Sequence, residues 1–68
     1  MSMTKEDYKF ARLKLGLSQK SLAREAGDRL DLIVKRERGT IEIDVGAEQD
    51  ILRLLKDPPP RDARTPRN

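Results

Sequence analysis

The chain has 68 residues, of which 40% are charged and 35% hydrophobic, with a formal net charge of +3. A chain this short holds one small domain that buries only about 60% of its unfolded surface, and the lack of cysteine and histidine removes thiolate and imidazole metal sites and the usual nucleophile–base pairs. No apolar run approaches the ~20 residues of a membrane span, and the amino end MSMTKEDYKF carries no apolar stretch of signal-peptide length. The expectation is therefore a cytoplasmic, non-enzymatic protein that uses no cofactor.

The pI of about 9.6 is compatible with a polyanionic partner, but the charge is unevenly placed. Residues 58–68 carry Arg61, Arg64 and Arg67 against Asp62, so two of the three net positive charges (3 − 1 = 2) lie there. That stretch, PPPRDARTPRN, has no large apolar side chain to bury and reads as a flexible arm of polyproline character. The folded domain is expected over residues 1–57, with a nearly neutral body.

In chain order, Thr4 is a candidate N-cap with Asp7 three residues on, and Tyr8, Ala11 and Leu15 recur on one helical face until Gly16. Ser18 caps a second helix of about two turns, with Leu22, Ala23 and Ala26 inward and Gly27 as its stop. Asp28 can cap a third helix, with Leu30, Ile33, Val34 and the stem of Glu37 on one side and Gly39 at its end. In TIEIDV the alternation of Ile41, Ile43 and Val45 with Glu42 and Asp44 has strand periodicity, but beside a helical domain an extended loop covering the core is the favoured reading. A fourth helix runs from about Gly46 to Asp57, with Ala47, Ile51, Leu54 and Leu55 inward and Leu52 off that face, and prolines 58–60 stop it. The fold class predicted is all-α: a small helix-turn-helix bundle of about four helices.

The run ARLKLGLSQKSLAREAG followed by IVKRERG resembles the helix-turn-helix domain of the phage-repressor, Cro and xenobiotic-response-element family. Arg12, Gly16, Leu17, Ser18, Gln19, Leu22, Ala23, Gly27, Ile33, Glu37 and Gly39 carry the likeness without a gap over residues 8–39, and ERGTIEIDVGAEQDILRLLKDP is similar to the close of small single-domain members. The resemblance implies that Ser18 and Gln19, at the positive end of the second helix, meet a DNA phosphate. It also implies that Arg12 and Glu37 form an ion pair tying the first helix to the third. By the same match, Arg29, Leu30, Asp31, Leu32 and Lys35 would face the DNA, with Arg38 near the backbone.

Three positions depart from the family pattern: Asp28 where a buried aliphatic is usual, Arg36 where an aromatic or aliphatic is common, and Leu30 with Asp31 in place of polar readers. The third helix's own apolar face is rotated about 70° from the family's inner face at 100° per residue. Two placements stay open: either Leu30 and Val34 enter the core, or the family register holds and Leu30 offers methyl groups to thymine. Both leave Asp31 and Lys35 outward. The function expected is a DNA-binding transcriptional regulator, an autorepressor of a phage or mobile element, gripping an inverted repeat of double-stranded DNA as a homodimer through Ile43, Val45 and Leu52. The alternative is an antitoxin or other module whose main partner is a protein such as a toxin.

Overall fold

A computed structural model of the chain describes residues 3–59. It contains four helices, α1 (Lys5–Leu15), α2 (Gln19–Ala26), α3 (Leu30–Arg38) and α4 (Val45–Lys56), and no strand among the described residues. The TIEIDV segment is loop rather than strand up to Asp44, as its company of helices suggested, but it bends at Thr40 and Ile41 before reaching the extended Asp44. The arm, 58–68, lies outside the described residues except for Pro58 and Pro59, which follow α4 without helix.

Local chemistry sets most of the boundaries. Thr4 and Asp7 form a reciprocal capping box at α1, Ser18 Oγ accepts from Ser21 N–H at α2, and Asp44 accepts from Ala47 N–H at α4. Asp44 moves the start of α4 one residue ahead of the predicted Gly46, so Val45 belongs to the helix. Helices α1, α2 and α3 all end at a glycine in the left-handed region, and in each case the following N–H reaches back: Leu17 to the Arg12 carbonyl, Asp28 to Ala23, Thr40 to Lys35. At Gly39, φ is 81° and a Cβ would also stand 3.0 Å from Lys5 Cδ, so both backbone conformation and space favour glycine there.

The core is assembled from one face of each helix: Tyr8, Ala11 and Leu15 of α1, Leu17 of the first turn, Leu22 and Ala23 of α2, Ile33 of α3, and Ala47, Ile51 and Leu54 of α4. Met3, Ala26, Ile43 and Leu55 pack against it while partly exposed. α1 lies against both α3 and α4, and α2 against α3 and α4, so α3 is held from two sides. Among the described residues no helix is long and apolar enough to cross a membrane.

The third helix corrects two expectations. Asp28 does not cap it. The N-cap is Arg29, whose side chain makes no capping hydrogen bond, while Asp28 Oδ2 accepts from Arg36 Nη1 at 2.9 Å. The face containing Leu30 is not the inner one either: Leu30 is 45% exposed and Val34 half-buried, whereas Ile33 is fully buried and Arg36 nearly so. The register is thus the one the family pattern implies, and the 70° offset of the apolar stripe leaves Leu30 in the open. What turns the helix is a polar cluster. Arg36 Nη1 donates to the Tyr8 hydroxyl at 3.2 Å as well as to Asp28, and its guanidinium carbon stands 5.8 Å from the centre of the Tyr8 ring. The two departures at 28 and 36 are therefore partners of one another.

Candidate nucleic-acid interface

Burial disfavours the charge on Arg36, yet its hydrogen bonds with Asp28 and Tyr8 outweigh that and hold the guanidinium above its ordinary pKa. Burial likewise pushes the Tyr8 phenol up, against the lowering influence of Arg36. Arg36 Nε is buried without a hydrogen-bond partner, so the cluster is satisfied at Nη1 and left incomplete at Nε. It fixes α3 against α1 and thereby sets which α3 side chains point outward.

A second polar network does the same for α2. Arg12 Nε and Nη2 donate to Glu37 Oε2 and Oε1 at 2.6 and 3.1 Å, a two-pronged pair with side-chain exposures of 10% and 6%. Arg12 Nη1 donates to the Leu17 carbonyl at 2.9 Å, pinning the turn into α2. Gln19 Nε2 then donates to Glu37 Oε1 at 3.2 Å. Four parts of the fold, α1, the first turn, α2 and α3, are joined through one buried carboxylate and one guanidinium. Removing either member would leave a buried unpaired charge at a cost of about 3–5 kcal/mol.

The residues expected to meet DNA are placed as follows. Ser18 is exposed, with its hydroxyl committed to the cap: it accepts from Ser21 N–H and donates to Ser21 Oγ. What this end of α2 can offer an anion is its uncommitted backbone N–H groups and the helix dipole. Gln19 is half-buried and oriented by its hydrogen bond to Glu37. On α3, Arg29, Leu30, Asp31, Lys35 and Arg38 are exposed and Leu32 is half-buried. Asp31 lies between two cations, its Oδ1 3.3 Å from Arg29 Nε and its Oδ2 3.9 Å from Lys35 Nζ. The carboxylate that looked out of place opposite a polyanion is thus offset locally, and the outer face of α3 carries three cations against one acid (Arg29, Lys35 and Arg38 against Asp31).

No protein-family model matches the chain, and comparison with curated proteins finds no relative.

Of the three residues assigned to self-association, Val45 is 67% and Leu52 46% exposed. Seven residues apart, they share one outer face of α4 across two turns. Ile43 is half-buried and packs on the core, so part of its surface is already used within the chain. Sequence reasoning missed the Asp28–Arg36–Tyr8 cluster and the Gln19–Glu37 bond. A signal for the first existed: Arg36 stands three residues after Ile33, on the same turn of helix face, with an acid eight residues earlier.

Proposed function

We propose that this protein is a sequence-specific, double-stranded DNA-binding transcriptional regulator of the cytoplasm, acting without catalysis or cofactor as a homodimer on an inverted repeat. The observation that carries the reading is the outer face of α3, where Arg29, Lys35 and Arg38 surround a single Asp31, on a helix locked in rotation by two buried ion pairs. Catalogued by chemistry, Arg29 and Arg38 suit phosphates, Lys35 suits a phosphate or guanine, Leu30 can meet a thymine methyl, and Asp31 can accept from cytosine N4.

The uncommitted N–H groups at the start of α2, with Gln19 beside them, suit a phosphate and would fix α3 over the major groove. Self-association through Val45 and Leu52, with the exposed part of Ile43, would place two reading helices about 34 Å or a helical-turn multiple apart.

The test is a titration of fluorescent duplex DNA from the gene's own upstream region, and of a shuffled duplex, at two salt concentrations. The reading predicts tighter binding to the upstream duplex, a salt-dependent affinity, and loss of both on Gln19→Ala with Lys35→Ala. Equal affinity of parent and double variant for both duplexes would refute it.

A further inference from the structure

The Arg12–Glu37 pair joins α1 to α3, and two of its contacts reach further, to the end of α2 that is proposed to meet a phosphate. Each nitrogen of the guanidinium is committed. Nε and Nη2 grip the Glu37 carboxylate, while Nη1 donates to the carbonyl of Leu17, the residue just before the N-cap Ser18. Of the first N–H groups of α2, that of Ser21 goes to Ser18 Oγ and that of Leu22 to the Ser18 carbonyl. Those of Gln19 and Lys20 have no acceptor among the described residues, and they follow a turn that Arg12 holds.

Glu37 sets the side chain at the same place. A carboxylate only accepts, so Gln19 turns its amide nitrogen rather than its carbonyl toward Oε1, at 3.2 Å. That nitrogen carries a second hydrogen, for which no acceptor exists among the described residues. Two acceptors of one NH2 group stand about 5 Å apart. A phosphate oxygen taking the second hydrogen therefore comes that close to Glu37, which is repulsive unless the carboxylate is neutralised from elsewhere. Arg12 neutralises it with both prongs of a buried fork. The pair adds no net charge to this end of α2; what it supplies is the direction of three donors.

We infer that Arg12 and Glu37 are positioning residues for the DNA backbone: buried and out of reach of DNA themselves, they aim the Gln19 amide and the N–H groups of Gln19 and Lys20 at one phosphate. The inference rests on the DNA-binding reading and adds to it two residues that touch no nucleotide. Glu37 belongs to α3, so the phosphate contact of α2 and the rotation of the reading helix share one carboxylate. A pair whose whole task was to join α1 to α3 could be exchanged for apolar side chains of similar size without loss. A pair that orients phosphate donors could be exchanged without loss of stability, but not without loss of DNA affinity.

The experiment compares the full chain with Gln19→Ala, with Arg12→Met plus Glu37→Met, and with all three changes together, on the upstream and shuffled duplexes across a salt series. Net charge is the same in all four proteins, so any change in the salt slope reports a lost contact. Gln19→Ala should weaken both duplexes alike by about tenfold, the loss of one hydrogen bond to a charged group, and lower the slope by up to about 0.9. The methionine pair should reproduce both effects, and Gln19→Ala should add nothing to it. A methionine pair that binds with the parent's affinity and slope, or losses that add, would overturn the inference while leaving the DNA reading intact; a parent that binds neither duplex removes both. Should the methionine pair fail to melt cooperatively, the parent decides alone. Its side-chain amides are those of Gln19, Gln49 and Asn68, and the Gln19 resonances, assigned by their disappearance in Gln19→Ala, should exchange with solvent more slowly than those of the exposed Gln49 and shift when the upstream duplex is added. Exchange as fast as that of Gln49, or resonances unmoved by bound duplex, would overturn the inference.

Discussion

Replacing Asp28 with alanine should destabilise the domain by about 2–3 kcal/mol, and replacing its partner as well should restore the loss. Arg36 is 8% exposed at its side chain and Asp28 21%. Removing one partner of a fully buried pair costs about 3–5 kcal/mol, because the remaining charge has surrendered its hydration for nothing. Two features lower the figure here: Asp28 keeps some contact with water, and the Tyr8 hydroxyl would remain as an acceptor for Arg36 Nη1 at 3.2 Å. Against a total stability of roughly 5 kcal/mol, the lower end for a small domain, this is a large fraction, worth on the order of 10–20 °C in Tm for a chain of this size. In Asp28→Leu with Arg36→Leu both charges are absent, the buried unpaired Nε disappears with them, and stability should equal or exceed the parent's by about 1–4 kcal/mol. Urea titration followed by circular dichroism measures all three proteins. If Asp28→Ala lies within about 0.5 kcal/mol of the parent, or the double variant is less stable than either single one, the cluster is not what holds α3.

Tyr8→Phe should flatten the alkaline limb of stability: burial raises the phenol pKa above its ordinary 10.0, so the contribution of Tyr8 is whole below 10.0 and is lost as pH rises through the raised value, which thermal melts from neutral to strongly alkaline pH will register. Leu52→Glu should turn a homodimer into a monomer by sedimentation at micromolar concentration without altering helix content, since Leu52 is 46% exposed; a parent already monomeric there would remove self-association through α4. Asp31→Ala should leave affinity for nonspecific DNA equal or higher, because it frees Arg29 and Lys35 from their shared carboxylate, and should relax preference at one base pair per half-site by about 1–3 kcal/mol; titrations with single-base operator variants measure it.

The helix ends were legible in the sequence because their chemistry is local. Thr4 with Asp7, Ser18, Gly16, Gly27 and Gly39 act within three or four residues of where they stand, so spacing alone places them. The start of α4 was read one residue late because Asp44 sits in an alternating apolar stretch and was counted as the polar half of that pattern rather than as a cap. The Arg12–Glu37 pair was available only through the family resemblance. Twenty-five residues separate the two, and nothing in the periodicity of either helix points to the other. Gln19 joins that pair by the same kind of distant contact, over eighteen residues.

The rotation of α3 shows why periodicity failed at one point and what would have been needed instead. An apolar stripe of Leu30, Ile33 and Val34 predicts its own burial if every charged residue is assumed to face water. Arg36 breaks that assumption: it is buried because Asp28 and the Tyr8 hydroxyl satisfy Nη1, and its entry rotates the helix so that Leu30 leaves the core. Read one position at a time, an acid at 28 and an arginine at 36 each argue against the family's inner face. Read as a pair, they argue for it, since opposite charges at two positions that the family fills with apolar groups can replace one buried contact with another. Asp31 and Lys35 face outward in either rotation, and the rotation that hides Arg36 adds the exposed Leu30 beside them. The presence of Leu30 on the proposed DNA-reading face is therefore a consequence of the polar cluster behind it, and a variant that repacks the cluster with leucines tests whether that face survives when apolar contacts alone hold α3.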